Sequence, residues 1–235
     1  MTITKRVLAA MALCLAMLML CSCGTAATDT EAEQTEAPVT TEATEAPAAT
    51  EAPAATETPA EKTEQGEKGQ ITHYAEIDIA DYGTITVALY GNDAPITVAN
   101  FVKLANQGFY NGLTFHRIMS GFMMQGGDPN GNGTGGSDET IKGEFSANGV
   151  ENTLSHTRGA ISMARSSAYD SASSQFFIMH QDYTGLDGMY AVFGYVTDGI
   201  DIVDAICTSA QPTDNNGTIP ADEQPVINSI TVREA

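Results

Sequence analysis

Residues 115–128 read FHRIMSGFMMQGGD and contain two short strand-like segments that meet at a glycine. One cation, Arg117, and one amide, Gln125, fall beside the apolar residues Phe122 and Met123. Because side chains alternate between the two faces of a strand, two paired segments would present the cation and the amide on one apolar surface. The same composition also fits a barrel core in which the arginine is satisfied by a carboxylate. From these residues alone both interpretations stay open.

Most of the chain around this stretch consists of short strand-like pieces punctuated by glycine. Upstream, residues 73–79 and 84–90 alternate apolar with polar residues around a turn, which predicts an antiparallel hairpin. A segment with helical spacing begins near Pro95 and stops at Gly108, and a second short helix is expected over residues 200–206. Many short strands with few helices favour a closed barrel or a sandwich, because closure removes exposed strand edges. The further strand-like pieces are residues 159–164, 175–179, 191–196 and 226–233.

The first 23 residues have the pattern of an export signal. Two basic residues precede an apolar run, residues 7–20, which is short for a membrane span. Its end resembles a bacterial lipobox, since Leu20 lies three residues before Cys23 and a small residue directly precedes Cys23. We therefore expect residues 1–23 to be a lipoprotein signal peptide and Cys23 to be lipidated. A cleaved signal without a lipid is the alternative.

Residues 24–70 are dominated by Thr, Ala, Glu and Pro and contain no aromatic residue. Their prolines interrupt any helix, and no apolar residues recur at helical spacing, so the segment cannot bury a core. We expect a disordered tether there. The folded part is then residues 71–235, which is the size of one domain.

Charge and cysteine content exclude several classes of partner and site. The formal net charge is −20, from 10 Lys and Arg against 30 Asp and Glu. Such a charge repels a phosphate backbone, which argues against nucleic acid as a partner. Three of the four cysteines lie in residues 1–23, so after processing only Cys207 is left in the folded part and no internal disulfide is expected.

Three other patterns lack the context that their chemistry needs. Residues 131–136 match a dinucleotide fingerprint, but they open no apolar helix, so we predict a glycine-rich surface loop. The four histidines are too widely spaced for a zinc site, and no metal is expected. Ser155 and His156 are adjacent, and adjacent residues on a strand point to opposite faces, so they do not indicate a hydrolase.

The run FHRIMSGFMMQGGDP, followed further on by SSQFFI and AVFGYV, resembles the cyclophilin family of peptidyl-prolyl cis–trans isomerases. The resemblance extends over residues 71–235 in the family's order. It implies a mainly β fold, namely a closed eight-stranded antiparallel barrel capped by two α-helices, with a substrate groove on the outside. It also implies an enzyme that uses no cofactor and binds proline-containing peptides.

The resemblance assigns roles to individual residues. The resemblance implies three catalytic-site residues: Arg117 corresponds to the catalytic arginine, Phe122 to a wall of the proline pocket beside it, and Gln125 to the polar group that binds substrate backbone. Ala164 and Arg165 fall where the family pairs its backbone with the peptide. The substrate-binding residues that the resemblance implies are His116, Met123, Ala164, Arg165, Gln175, Phe177, Leu186 and Tyr190.

Three positions depart from the common family pattern. Gly185 stands where many eukaryotic members have a tryptophan that contacts cyclosporin, so the resemblance implies no such contact here. Tyr190 replaces a histidine at the pocket rim and keeps an aromatic wall. Arg165 replaces a frequent asparagine, so backbone pairing is expected there without the usual side-chain contact.

The resulting prediction is an isomerase of X-Pro peptide bonds that assists the folding of extracytoplasmic proteins. Its expected partners are proline-containing peptides, unfolded or folding proteins, and a membrane reached through the lipid on Cys23; the protein itself is expected to be a monomer. Two alternatives stay open. One is a tethered module that binds proline-containing segments without isomerising them, and the other is an adhesion or scaffold lipoprotein with the barrel as its head group.

Overall fold

The computed structural model describes residues 69–235. The predicted signal peptide 1–23, its lipidation residue Cys23 and the tether up to residue 68 lie outside the described residues. At Gly69 the chain already contacts the domain, because its backbone N–H donates to the carboxylate of Asp93 over 2.8 Å. No helix among the described residues is long and apolar enough to cross a membrane.

Eight β-strands and two α-helices form the described part of the chain. The strands are β1 His73–Ile79, β2 Gly83–Leu89, β3 Thr114–Met119, β4 Met123–Asp128, β5 Ala160–Met163, β6 Phe176–Met179, β7 Ala191–Asp198 and β8 Ile227–Glu234. The helices are α1 Pro95–Asn106 and α2 Ile200–Ser209, and two short 3-10 turns span Ser146–Asn148 and Thr184–Leu186.

The strands form one antiparallel sheet in the order β3-β4-β6-β5-β7-β2-β1-β8. The predicted hairpin is confirmed, since β1 and β2 pair in regular register from His73 opposite Leu89 to Ile79 opposite Gly83. Strict alternation explains this register, because a slip of one residue would move the buried side chains of both strands to solvent.

The sheet is curled but open, so the prediction of a closed barrel was wrong in this respect. Its end strands β3 and β8 do not share a ladder; the segment that leads into β8, residues 217–226, borders β3 and meets it in isolated bridges such as Thr114 with Val226. That segment contains Pro220 and Pro225. Proline has no backbone N–H, so a continuous ladder cannot form there.

The two predicted helices are confirmed and lie against different parts of the sheet. Helix α1 packs on β7 and β8, and α2 packs on β2 and β4. Helix α1 begins at Pro95 without a side-chain cap of its own, and the buried carboxylate of Glu144 accepts the free N–H groups of Ile96 and Thr97 over 3.0 and 2.7 Å. An acidic group at a helix N-terminus satisfies orphan donors and is favoured by the helix dipole.

Buried apolar residues fall into two groups. The larger group fills the interior of the curled sheet and includes the apolar faces of both helices. A smaller one, which we call the outer cluster, is centred on Met123, Ala160, Phe177, Met179 and Val192. Among the partly buried residues packed against the outer cluster are Phe122, Ala164, Leu186 and Tyr190. The outer cluster therefore gives the sheet a second apolar face, and several predicted site residues pack against it.

Candidate active site

A pocket of about 250 Å³ lies over the outer cluster. Nine of the eleven site residues predicted in residues 69–235 line it, and His116 and Gln175 do not. Both strands of the β3–β4 hairpin, β6 and the loops after β5 and before β7 contribute side chains. The lining residues are Arg117, Phe122, Met123, Gln125, Ala164, Arg165, Phe177, Leu186 and Tyr190.

A β-bulge at His116 places Arg117 on the pocket side of the sheet. Phe115 pairs with Gly126 and Arg117 pairs with Gln125, so His116 is an extra residue without a partner on β4. Strict alternation would give Arg117 the same face as Phe115, which is fully buried in the interior. The bulge resets the alternation, so Arg117 shares a face with Gln125 instead.

The guanidinium of Arg117 is held by four protein groups at the pocket rim. Its Nε donates to the carbonyl of Asn216 over 2.7 Å and its Nη1 to Oε1 of Gln125 over 3.2 Å. The sulfur atoms of Met119 and Met123 lie 3.3 and 3.9 Å from Nη2 and Nη1. Desolvation by partial burial lowers the pKa of Arg117 from its usual value, which for an arginine still leaves the side chain cationic near neutral pH.

A chain of amide hydrogen bonds continues from Arg117 to a neighbouring pocket. Nε2 of Gln125 donates to Oε1 of Gln175 over 2.9 Å, and Nε2 of Gln175 donates to the carbonyl of Gly135 over 2.7 Å. Gln175 therefore lies behind Gln125, and it lines a second, mostly polar pocket of about 370 Å³ on the other side of Ala164. The backbone N–H of Ala164 is itself bound to the carbonyl of Gln175 over 2.9 Å.

The aromatic wall of the pocket is fixed from behind by a buried histidine that the sequence did not identify. His156 is fully buried and its ring stacks on Phe177 with centroids 5.9 Å apart. Its Nδ1 lies 2.7 Å from the carboxylate of Asp187, and its Nε2 lies 3.0 Å from the hydroxyl of Ser162. Burial lowers the pKa of His156, and hydrogen bonding and charge attraction from Asp187 act in the opposite direction.

Ser162, His156 and Asp187 have the order of partners found in nucleophilic triads, but Ser162 has no exposed surface. A substrate cannot reach its hydroxyl. The three residues instead connect β5, the loop before β5 and the loop that bears Leu186, so they support the pocket rather than react in it.

Arg165 is locked at the edge where the two pockets meet. Its guanidinium carbon lies 5.0, 5.1 and 4.6 Å from the ring centres of Phe145, Tyr169 and Tyr190. Its Nε and Nη2 both donate to the carbonyl of Met189, over 3.0 and 2.8 Å. Stacking on several rings holds an arginine in one orientation, and here it also supports Tyr190, the aromatic residue at the rim.

His116, predicted to bind substrate, lies inside the protein beside the pocket. Only 4% of its surface is exposed, and within residues 69–235 neither ring nitrogen has a hydrogen-bond partner. Burial lowers the pKa of His116, while Asp128 raises it and Arg117 lowers it further. The role visible in the structure is that of the bulge residue that reorients Arg117.

Comparison with known proteins agrees with this geometry. Residues 74–233 match the family model described as cyclophilin type peptidyl-prolyl cis-trans isomerase. The chain belongs to the cyclophilin family. Peptidyl-prolyl cis-trans isomerase B of Bacillus subtilis is 50% identical over 123 residues, which are 52% of this chain and 82% of the relative. An isomerase of Helicobacter pylori strain J99 is 46% identical over 137 residues, which are 57% of this chain and 81% of the relative.

A solved structure shows the same fold. The crystal structure of a Cryptosporidium parvum cyclophilin type peptidyl-prolyl cis-trans isomerase, in the presence of the dipeptide Ala-Pro, aligns with a TM-score of 0.61 at 28% identity. The alignment covers 69% of this chain and 99% of that one. This cyclophilin is therefore an isomerase by family, with the mainly antiparallel sheet and two helices that the resemblance implied.

This cyclophilin fills the space next to Gly185 with a tyrosine that the sequence analysis missed. The ring of Tyr183 lies edge-on to Phe122 with centroids 5.2 Å apart. A Cβ atom on Gly185 would lie 3.2 Å from that ring. Tyr183 is 54% exposed, so an aromatic surface continues from the pocket wall beyond Phe122. The signal for it in the sequence is an aromatic residue two positions before Gly185.

No group of three His, Cys, Asp or Glu side chains suited to a metal ion occurs in the part of this cyclophilin that the structure describes. The pocket combines two cations, Arg117 and Arg165, with one amide and an apolar wall. Such a set can grip an apolar ring and donate hydrogen bonds to polar atoms beside it.

Proposed function

We propose that this pocket is where the protein isomerises X-Pro peptide bonds, with Arg117 as the catalytic residue. One observation supports the proposal above the others: the guanidinium of Arg117 lies at the rim of an apolar pocket that also contains Phe122, Met123 and Phe177. The pocket, about 250 Å³, has room for a pyrrolidine ring between these side chains.

The chemistry of the reaction fits a cation at this place. Amide resonance puts a barrier of about 18–20 kcal/mol on rotation about the peptide bond. In the twisted transition state the prolyl nitrogen loses that resonance and becomes pyramidal, so its lone pair can accept a hydrogen bond. A donor placed on this nitrogen binds the transition state more strongly than either planar ground state, and such differential binding lowers the barrier. No covalent step is required.

The other side chains would bind the substrate on both sides of the peptide bond that rotates. Phe122, Met123, Phe177 and Leu186 surround the prolyl ring in this proposal, while Gln125 binds the backbone before proline. Gln125 is suited to that role because Gln175 fixes its amide. One end of the bond then rotates against a fixed other end.

Replacement of Arg117 by alanine tests the assignment. In the full chain, Arg117→Ala should lower the catalysed exchange of an X-Pro peptide by about 100-fold, the scale seen when one donor to a transition state is removed. NMR exchange spectroscopy measures that rate directly. Arg233→Ala is the matched control, because Arg233 stacks on Tyr74 away from the pocket and should leave the exchange rate unchanged.

Two results would overturn the proposal. Unchanged exchange in a folded Arg117→Ala variant would remove the catalytic role of this residue. If the peptide changes the NMR chemical shifts of the wild-type protein but its cis and trans forms interconvert no faster, the protein would instead be a module that binds proline-containing segments.

We further propose that the protein acts outside the cytoplasm, attached to a membrane through a lipid on Cys23, as a monomer that assists folding proteins. The basic start, the short apolar run and the Leu20 to Cys23 ending support this location. Proline isomerisation limits folding on a scale of tens of seconds, so a catalyst is useful where exported chains fold.

Fatty-acid labelling in a bacterial host tests the anchor. The wild-type chain should incorporate labelled palmitate and sediment with membranes, and Cys23→Ser should abolish both. Cys21→Ser is the matched control and should keep the label. Labelling that persists in Cys23→Ser would contradict the proposed attachment.

A further inference from the structure

The turn between β3 and β4 bears Phe122, and His180 binds this turn at two points. The backbone N–H of Gly121 donates to Nδ1 of His180 over 2.9 Å. The backbone N–H of His180 donates to the carbonyl of Phe122 over 2.9 Å. His180 directly follows β6 and is 8% exposed, whereas Gly121 is exposed, so the bond between them is partly shielded from water. Neither the resemblance nor the mechanism gives His180 a role.

The hydrogen bond from Gly121 determines the state of the ring. An N–H group can donate only to a ring nitrogen that has no proton, so Nδ1 of His180 is unprotonated and the proton of the neutral ring is on Nε2. Nε2 faces the carboxylate of Asp204 on α2 over 3.3 Å. The neutral ring therefore bridges the turn and α2. Its Nδ1 accepts a hydrogen bond from Gly121, and its Nε2 donates one to Asp204.

An arginine keeps this bridge in place from the far side. Arg158 binds both carboxylate oxygens of Asp204, over 2.6 and 2.7 Å, and its Nη1 also donates to the carbonyl of His180 over 2.8 Å. Bidentate pairs of this kind fix orientation as well as distance. The backbone and the side chain of His180 are thus both constrained before they reach the turn.

We propose that His180 is a positioning residue that sets the Phe122 wall of the pocket, and that protonation of its ring releases that wall and weakens peptide binding. The proposal rests on the proposed function, since it assigns Phe122 to the site where the prolyl ring binds. It concerns peptide affinity and adds no group to the chemical step.

Protonation of the His180 ring removes the hydrogen bond from Gly121 that holds the turn. An imidazolium has N–H groups at both nitrogens, so Nδ1 can no longer accept from Gly121 and instead presents a hydrogen to it. The turn must then move away from His180, and Phe122 moves with it. The charged or titratable groups around the bridge are Arg158, Asp182, Asp204 and Cys207. None of these groups can replace the acceptor that Gly121 loses.

Three substitutions at position 180 separate the acceptor from the rest of the side chain. In His180→Asn, the amide oxygen can take the place of Nδ1 and accept from Gly121. In His180→Gln the longer side chain reaches toward Asp204, and in His180→Leu no acceptor is left. Because the Phe122 wall contacts the prolyl ring in ground and transition states alike, its displacement should raise KM and spare kcat.

The measurement is kcat and KM for a prolyl peptide with the full chain from about pH 8 to about pH 5, where histidines change charge. At the upper pH, His180→Leu and His180→Gln should each raise KM about fivefold, the worth of one hydrogen bond, with kcat within about twofold of wild type. His180→Asn should keep the wild-type KM. As the pH falls, KM should rise in the wild type and stay level in His180→Asn.

A control and a second readout keep the result interpretable. His73→Asn replaces a histidine on β1 outside the pocket and should reproduce the wild-type pH dependence of KM. Hydrogen exchange of the Gly121 amide should be slow in wild type and His180→Asn and faster in His180→Leu, whether or not catalysis occurs. If the wild-type chain binds peptide without isomerising it, the proposed function fails, and Kd replaces KM in the same comparison.

A purely structural role would give a different outcome. Folded His180→Leu and His180→Gln with wild-type KM would overturn the proposal even if both unfold at a lower temperature. A rise of KM at acid pH that persists unchanged in His180→Asn would overturn the protonation step.

Discussion

Nη1 of Arg117 lies 3.2 Å from Oε1 of Gln125 because a single extra residue on β3 brings the two side chains to one face of the sheet. Without the bulge at His116, alternation would direct the arginine into the apolar interior, where an unpaired charge is very costly. The local irregularity of the strand is therefore what allows a cation to stand at the pocket. This relationship also means that the position of Arg117 depends on groups further along the amide chain.

We predict that Gln175→Met lowers kcat/KM although Gln175 does not line the proline pocket. The substitution removes the bond that fixes Gln125, so the amide oxygen beside Arg117 is no longer held in one position. A loss of about 5-fold in kcat/KM is expected, the equivalent of one neutral hydrogen bond. NMR exchange of a prolyl peptide at several concentrations provides the value.

Gln224→Met is the matched control for this experiment. Like Gln175, Gln224 holds part of the backbone: its Nε2 donates to the carbonyls of Gly131 and Ile219, each over 3.0 Å, but it lies outside the pocket. The Gln224→Met variant should be less stable than the wild type and have the same kcat/KM. Equal losses of kcat/KM in the two variants would show that the amide chain has no particular connection to the site.

Local patterns were enough to predict much of the fold. Alternation predicted the β1–β2 hairpin, and the proline followed by helical spacing predicted α1, because both signals lie within a dozen or so neighbouring residues. The family motif predicted which side chains would meet, and nine of them line one pocket.

The features that the sequence did not predict depend on distant parts of the chain. The contact between His156 and Asp187 forms only when the loop after β6 folds back on β5, and no local pattern encodes that closure. The bulge at His116 resembles ordinary strand sequence, because its signature is the pairing with β4. Closure of the barrel fails next to Pro220 and Pro225. The prediction of a closed barrel followed the family resemblance and did not take these two prolines into account.

We predict that His116→Leu does not destabilise the fold. Both ring nitrogens of His116 are buried without a hydrogen-bond partner among the described residues, and a buried unsatisfied polar group costs about 1–3 kcal/mol. A leucine of similar size removes that cost, so the free energy of unfolding should stay equal or increase by about 1 kcal/mol. Urea denaturation measures it. A loss of more than about 1 kcal/mol would indicate that the ring binds a buried water molecule.

Acid should destabilise the protein through His156. Burial lowers the pKa of this histidine in the folded state, so between the lowered value and the ordinary value of about 6.5 the unfolded chain binds more protons. The free energy of unfolding therefore falls as the pH drops below about 6.5. The pKa of Asp187 is also lowered, by hydrogen bonds from Ser155 and His156 that outweigh its desolvation, but its contribution is lost only near or below about pH 4.

Urea midpoints at about pH 7.5 and about pH 5.5 test the role of His156 above the range where carboxylates titrate. His156→Asn can still donate to Asp187 but has no proton to gain, so the difference between the two midpoints should shrink. His73→Asn, the control, should keep the full difference. Midpoints that separate equally in His156→Asn and wild type would assign the acid sensitivity to another group, of which buried His116 is the next candidate.

Two glycines with nearly the same backbone angle should respond very differently to alanine. Gly127 has φ of 80° and Gly149 has φ of 73°, a region in which a Cβ costs about 1–2 kcal/mol. At Gly149 nothing lies within 4 Å of an added Cβ, whereas at Gly127 the Cβ would stand 2.7 Å from the carbonyl oxygen of Ser174. Gly149→Ala should thus cost about 1 kcal/mol and Gly127→Ala more than about 3 kcal/mol.

The two glycine variants also test whether packing near the amide chain affects activity. Gly127 lies two residues after Gln125, and the carbonyl that its Cβ would displace belongs to the residue before Gln175. Gly127→Ala should therefore also raise KM for a prolyl peptide, while Gly149→Ala should change only the unfolding midpoint. If Gly127→Ala folds with wild-type KM, the backbone around Ser174 can move without disturbing the amide chain, and packing at Gly127 has no connection to the site.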